Sequence, residues 1–370
     1  MINNRKTCCF FNFASHYREE IYLKMEEELN ADFYFGDVEN DKIKKIDYKL
    51  FKRQVTELHS IRLFSNFVIV KKAVFLAFKP YSHHIITGEY YNISTWLIMV
   101  LNMLLGKKTY LWTHGWYGNE TFIKKTIKKI YFSLSTAVFL YGDYAKKLMI
   151  KEGFSENKLH VIYNSLDYEQ QLIMRNELKE NNYFKSLFGN ENPVIIFTGR
   201  ITKVKKLEQL LEAQKKLIDL NYPINVFIVG DGPERDKLVS FSEDQGLSRY
   251  THFFGSCYDE QLIAEFYYNA NVCVSPGNVG LTGIHSMTYG CPVISHDNFY
   301  EQMPEFEVIV NRQTGFFFEQ NNIEDLVLKI NEVLKLNKEE LRKNCFKMID
   351  SKFNTRYQIE VFKKILTSTL

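Results

Sequence analysis

Two short stretches combine glycine, cations and hydroxyls in the way that binding a phosphorylated ligand requires. The first reads Thr198-Gly199-Arg200-Ile201-Thr202-Lys203-Val204-Lys205-Lys206-Leu207 and leads straight into helical spacing. Backbone N–H groups at a helix start, the positive end of its dipole, and the cations Arg200 and Lys205 together suit a diphosphate. The second reads Ser275-Pro276-Gly277-Asn278-Val279-Gly280-Leu281-Thr282-Gly283 and is followed by His285-Ser286-Met287-Thr288-Tyr289. Its three glycines let backbone approach a ligand closely, and a helix N-terminus again offers donors to an anion. Two such loops on one sheet point to a nucleotide-bearing substrate.

The elements that carry these loops alternate between short β-rich runs and helical stretches, the pattern of a parallel sheet covered by helices on both faces. Val194–Thr198, Asn225–Val229, Thr251–Phe254, Val272–Ser275 and Pro292–Ser295 read as strands. Helices are expected over Leu207–Leu220, from Glu234, near Asp259–Asn269 and over Thr282–Tyr289. The first half carries the same signals at Thr7–Asn12, Ile85-Ile86, Lys108–Trp112, Ala137–Tyr141 and His160–Tyr163. The polar stretch Glu177–Asn192 reads as a linker. The expected organisation is therefore an α/β chain of two doubly wound, Rossmann-like domains facing each other across a cleft. Residues 1–180 make the first domain, 181–354 the second, and 355–370 a terminal helix packing back on the first. Such sheets bind ligands at the C-terminal ends of their strands, so two of them predict a two-substrate enzyme.

Composition excludes other classes. The chain has 370 residues, 45% hydrophobic and 15% aromatic, which is incompatible with disorder. Its net charge of +3 conceals an asymmetry: residues 1–185 give 27 − 20 = +7 and 186–370 give 20 − 24 = −4. Residues 51–130 alone hold 12 basic and 3 acidic side chains, which suits an acidic partner such as an anionic membrane surface or a phosphorylated substrate. Nucleic acid is not expected, because the basic residues come as scattered lysine pairs without a recognition motif. The most apolar run, Trp96–Leu105, is half the length of a membrane span. The N-terminus lacks a secretory pattern, so a cytoplasmic location is expected, with possible attachment to the inner face of the plasma membrane. The six cysteines form neither metal-ligand spacing nor a disulfide framework.

Several of these motifs come in an order that resembles family 4 glycosyltransferases, enzymes of GT-B fold. They are Gly199-Arg200 with Lys205, Val229-Gly230-Asp231-Gly232-Pro233, Phe254-Gly255, and Gly290-Cys291-Pro292-Val293-Ile294 followed by Pro304-Glu305 and Thr314-Gly315. Lys158–Asp167 is similar to the segment that closes the first domain of those enzymes, and the resemblance covers roughly 110–370. It implies transfer of a sugar from a nucleotide-sugar to a glycan or lipid-linked acceptor, with retention of configuration, in surface polysaccharide biosynthesis. It implies no cofactor and no obligatory metal. Arg200 and Lys205 match the family's cationic pair at the donor diphosphate. A departing nucleoside diphosphate develops negative charge, which fixed cations and backbone dipoles stabilise without a metal. No Asp-x-Asp pair, the usual metal holder of the other large glycosyltransferase fold, occurs in the chain.

One departure is evident. The family usually places two glutamates eight positions apart around the glycine-rich loop, one at the donor sugar and one at the ribose; here those positions are Gly277 and His285. An imidazole can serve a hydroxyl or a phosphate instead. The loop Asn278-Val279-Gly280-Leu281-Thr282 could still contact sugar and phosphate through its backbone. Either the donor is gripped differently or catalysis has been lost. In the first domain the resemblance puts His114, within Trp112-Thr113-His114-Gly115-Trp116, near the transferred sugar. His16, Arg18 and Glu89 follow expected strands and are candidates for the acceptor side. Competing expectations are a sugar-nucleotide epimerase or hydrolase on the same fold, and a non-catalytic binding subunit.

Overall fold

A computed structural model describes residues 6–37, 44–63 and 67–368. The chain divides into two compact units, Met1–Asp167 with Asn354–Leu370, and Tyr168–Phe353. The sequence places the change at 180/181. It falls earlier because helix Tyr168–Glu177 is tied to the second unit. Gln171 Nε2 donates to Glu260 at 2.8 Å, and Arg175 grips both oxygens of Asp350 at 3.0 Å. The expected linker also contains a helix, Tyr183–Phe188, whose Phe184 ring packs on Phe227 at 5.1 Å.

In the first unit the strands are β1 (Thr7–Phe11), β2 (Ala31–Gly36), β3 (Thr56–Leu58), β4 (Ser60–Arg62), β5 (Val68–Val70), β6 (His83–Thr87), β7 (Lys108–Thr113), β8 (Ala137–Leu140) and β9 (Leu159–Val161). Seven form a parallel sheet in the order β3-β2-β1-β6-β7-β8-β9, while β4 and β5 pair as an antiparallel ribbon. Alternation in β1 sorts its side chains. Cys9 and Phe11 enter one core with Phe33, Trp112 and Phe139; Cys8 and Phe10 enter the other with Ile86, Leu111 and Leu140. Both faces are thus buried, as a parallel sheet requires. The terminal helix Thr355–Ser368 closes the first of these cores with Ile359, Phe362 and Ile365, and Phe362 meets Phe139 edge-on at 4.6 Å.

The second unit holds β10 (Val194–Thr198), β11 (Asn225–Val229), β12 (Thr251–Gly255), β13 (Val272–Ser275), β14 (Val293–His296) and β15 (Gly315–Phe318), parallel in the order β12-β11-β10-β13-β14-β15. The order reverses direction between β10 and β13. These adjacent strands carry the two loops singled out above, and such a switch point is where doubly wound sheets bind ligands. Each unit is Rossmann-like, and a pair of such domains is the make-up of a GT-B chain. Among the described residues the six cysteines are unpaired, five of them buried and Cys257 partly so. No described helix is long and apolar enough to cross a membrane.

Candidate active site

After β10 the backbone turns at Gly199, passes exposed Arg200, makes a short 3-10 turn over Lys203–Lys205 and enters helix Leu207–Asp219. Lys205 therefore lies just before the helix rather than opening it. The loop is strapped to the one after β11. Gly199 N donates to Val229 O and Ile201 N to Asp231 O, both at 2.9 Å. Gly230, at φ 146°, has no room for a Cβ, which would lie 1.9 Å from Gly199 O. The glycines at 230–232 thus serve this close approach of two loops.

Lys205 reaches from the first loop to the second. Its Nζ donates to Asn278 O at 2.6 Å and to Asn278 Oδ1 at 2.9 Å. Burial pushes its pKa down to about 8, with Glu305 acting in the opposite direction. Gly277 N donates to Lys205 O at 2.9 Å, and a Cβ on Gly277 would stand 1.8 Å from Val204 O. The space where a glutamate side chain would begin is filled by the backbone of the lysine loop. Position 277 is glycine because of this packing.

Gly280 caps helix Leu281–Thr288. A Cβ there would find nothing nearer than Lys205 Nζ at 3.8 Å and Met303 at 4.0 Å, so the ground before this helix start is open beside the ammonium. Buried Val279 is held by Gln302, whose Oε1 accepts from Val279 N at 3.0 Å. Thr282 Oγ1 donates to Thr198 O at 3.0 Å, fixing the helix start against β10. Arg200 makes no hydrogen bond or ion pair among the described residues. Its guanidinium is available to a ligand, with five donors in a planar fork.

His285 has a different partner from the one expected of it. Its Nε2 lies 2.8 Å from Glu260 Oε1, which also accepts from Tyr289 Oη at 2.6 Å and Gln171 Nε2 at 2.8 Å. Burial alone would raise the Glu260 carboxyl, but the His285 charge and these hydrogen bonds hold it down at about 2. One ring nitrogen of His285 is therefore engaged by protein. Glu260 was not legible in the sequence: it is the first residue of helix Glu260–Asn269, capped by Asp259, and only packing brings it to His285.

In the first unit a cavity of about 200 Å³ opens at the C-terminal ends of β1, β6 and β7. Arg18, Glu89 and His114 all line it, with Asn12, Trp112 and Tyr141. The Arg18 guanidinium lies over the rings of Trp112 (5.2 Å) and Tyr141 (5.5 Å) and donates to Tyr141 Oη. Glu89 accepts from Asn12 Nδ2 at 2.8 Å, and burial raises its pKa. Burial, reinforced by the charges of Arg18 and Lys128, lowers His114 to about 4, so the imidazole is neutral at pH 7. Its Nδ1 is buried and meets no partner among the described residues. His16 lies outside this lining, with Nδ1 3.0 Å from Lys44 O. Lys128 braces the loop that carries His114: its Nζ donates to Gly115 O and to Glu120 Oε1, both at 2.6 Å, while Glu120 accepts from Tyr117 N and Gly118 N at 2.9 Å.

Comparison with known proteins follows the same division. Residues 179–348, which carry the first site, match the family model described as glycosyl transferases group 1, so the chain contains a domain of that group. Over 251 residues it is 26% identical to the capsular polysaccharide biosynthesis glycosyltransferase CapM of Staphylococcus aureus, covering 65% of this chain and 63% of that protein. A poly(ribitol-phosphate) alpha-N-acetylglucosaminyltransferase of the same species is 25% identical over 46% of this chain and 33% of its own length. Among solved structures, Anabaena HepE in complex with UDP superimposes with a TM-score of 0.73 at 13% identity, covering 98% of this chain and all of its own. The likeness to HepE extends over both Rossmann-like units.

Proposed function

We propose that this chain, with its glycosyltransferase group 1 domain over 179–348, moves a sugar from a nucleotide-sugar to a glycan or lipid-linked acceptor of a cell-surface polysaccharide, retaining the anomeric configuration as family 4 enzymes do. The observation that carries the reading is the Lys205–Asn278 contact at the open start of helix Leu281–Thr288, with unpaired Arg200 on the same loop as Lys205. A diphosphate bound there meets two cations and the N–H groups of a helix start. As the bond between sugar carbon and phosphate oxygen breaks, the electron pair stays on the diphosphate, and these fixed charges stabilise it. The reading assigns no metal to this step. UDP is the first nucleotide to test, since it is the ligand of HepE.

The first-unit cavity is assigned to the acceptor. Neutral His114 can hydrogen-bond a hydroxyl, Glu89 can accept a proton, and Arg18 offers a cation on an aromatic wall. The lysine-rich segment 51–130 is assigned to the anionic cytoplasmic face of a membrane, and the proposal includes a cytoplasmic location. The test is turnover. UDP-, GDP-, CMP- and dTDP-sugars are screened by thermal shift, and the donor that raises the midpoint is assayed with and without chelator. Arg200→Ala and Lys205→Ala are each expected to abolish transfer. Near wild-type rates in both overturn the assignment; dependence on added metal overturns the metal-free step alone.

A further inference from the structure

We propose that helices Ile93–Leu104 and Phe122–Ser133, with the adjoining turn Ala73–Phe78, insert apolar side chains into the interface of an anionic bilayer. This rests on the membrane reading above and changes its nature from charge attraction to partial insertion.

The first helix is apolar on both its faces. It buries Ile98 and Met99 together with polar Ser94, Thr95 and Asn102, while Leu97, Met103 and Leu104 are 50%, 59% and 74% exposed. The buried polar groups are satisfied within the protein. Ser94 Oγ donates to Val70 O at 3.2 Å, Thr95 Oγ1 to Asn92 O at 2.7 Å, and Asn102 Nδ2 to Thr109 Oγ1 at 2.9 Å. A surface helix in water ordinarily exposes polar residues opposite its buried apolar stripe, whereas this one carries large apolar side chains on the outer face as well. The second helix buries Lys128 with Tyr131 and Phe132 and exposes Phe122 (84%) and Ile123 (71%). The two helices are neighbours, since Trp96 packs on Tyr131 with ring centroids 4.9 Å apart. The turn bears Phe75 and Phe78, each 61% exposed, and is fastened to the end of the first helix by Lys107, whose Nζ donates to Ala77 O and Lys79 O. So many large exposed apolar side chains on neighbouring elements mark a place that something apolar covers.

Charge identifies the cover. Residues 71–134 contain nine Lys and two Glu, 9 − 2 = +7. Neither acid faces the surface: Glu120 is buried on Lys128 and Glu89 lines the cavity. Glu152 pairs with Lys125 and Lys129, and the charges left beside the apolar face are exposed lysines such as Lys71, Lys72 and Lys108. Apolar side chains ringed by lysine fit acyl chains beneath anionic headgroups. A second copy of this chain docked face to face would bring lysines against lysines. The first helix has 12 residues; at about 18 Å it is too short to span a hydrocarbon core of about 30 Å and lies in the interface plane.

The experiment is flotation of the full chain with phosphatidylcholine vesicles, with and without phosphatidylglycerol, at low and high salt. Binding is expected only with phosphatidylglycerol and in part retained at high salt. Leu104→Ser and Phe122→Ser are each expected to weaken it by about tenfold, the effect of withdrawing one large apolar side chain from an apolar phase. Both residues are exposed, so thermal midpoint and donor binding are expected to stay unchanged, which separates the result from misfolding. Binding that vanishes at high salt and ignores both substitutions overturns insertion while leaving charge attraction standing. Absence of vesicle binding, with a concentration-dependent dimer in light scattering, overturns both. The transferase reading is judged separately, by donor turnover with a soluble acceptor.

Discussion

Lys205 Nζ donates to both oxygens of Asn278, the backbone carbonyl at 2.6 Å and Oδ1 at 2.9 Å, and so joins loops 73 residues apart in sequence. The same ammonium is the partly buried cation nearest the open start of helix Leu281–Thr288, with its pKa lowered to about 8. Its charge serves an anion only while it is protonated. Donor affinity is therefore expected to hold below pH 8 and to weaken above it, with proton uptake on binding because a diphosphate stabilises the ammonium. Lys205→Met is expected to lower affinity by about ten- to a hundredfold at pH 7, the range of a charged hydrogen bond, and to remove the pH step. Calorimetric titration of UDP in two buffers checks both.

The sign for stability is opposite. The folded pKa of Lys205 lies below its unfolded value of 10.5, so the unfolded chain binds more protons between about 8 and 10.5, and the native state gains stability as pH rises through that window. Lys205→Met is expected to be more stable than the parent at pH 7 and to lose that advantage by pH 10.5. Urea midpoints across that range measure it.

Gly277→Glu, which installs the residue that the resemblance to family 4 enzymes implies at this position, is expected to damage this protein. The new Cβ would stand 1.8 Å from Val204 O and 2.8 Å from Lys205 Cα, both backbone atoms. Either the lysine loop moves or the helix start does, and in both cases Lys205 leaves Asn278. A loss of about 1–3 kcal/mol is expected, as for other overpacked sites, together with loss of donor binding. A variant with wild-type thermal midpoint and improved turnover would show that this backbone yields.

Much of the second unit was legible because its strands are continuous apolar runs broken by glycine. Val194–Thr198, Asn225–Val229 and Val272–Ser275 stand with the bounds the sequence predicts, and Thr251–Gly255 and Val293–His296 differ by one residue. Strands Ala31–Gly36 and Gly315–Phe318 went unread; the first packs Phe33 and Phe35 into a long-range core, and the second is four residues whose pairing with Val293–His296 is not visible locally. Gly199, Arg200 and Lys205 could be found because cations after a glycine turn have a local meaning. The role of Gly277 could not, since it depends on backbone 72 residues earlier. Tyr289 follows His285 by four residues at the end of the same helix, but Glu260 and Gln171 come from two others, and no spacing announces that Gln171, Tyr289 and His285 meet at Glu260.

That convergence predicts an acid limb. The Glu260 carboxyl is held at about 2 in the folded protein against 4.5 unfolded, so its contribution is complete above pH 4.5 and drains away as pH falls toward 2. The carboxylate side chain is 33% exposed, and allowing for solvent screening the contribution is about 1–2 kcal/mol. Glu260→Gln is expected to lose that amount at pH 7, about two fifths of it at pH 3 and little at pH 2, flattening the acid side of the stability curve. If the two curves run parallel from pH 7 to 3, the His285–Glu260 pair does not stabilise the fold.

The pair beneath His114 should behave differently, because both partners are hidden: Lys128 is 5% exposed and Glu120 not at all. Removing one partner strands a charge out of water, which typically costs about 3–5 kcal/mol, whereas removing both trades an ion pair for a neutral contact and costs far less. Lys128→Met alone is therefore expected to be the most destabilised variant. Glu120→Gln alone keeps an oxygen for Tyr117 N or Gly118 N but leaves Lys128 with only Gly115 O. The double variant should recover a substantial part of the loss. Activity need not follow stability: the loop from Gly115 to Glu120 is held by Lys128 at both ends, so the double variant is expected to fold well yet show a raised KM for acceptor with donor KM unchanged. Full recovery of acceptor KM in the double variant would mean that the ion pair holds the fold and has no part in positioning His114.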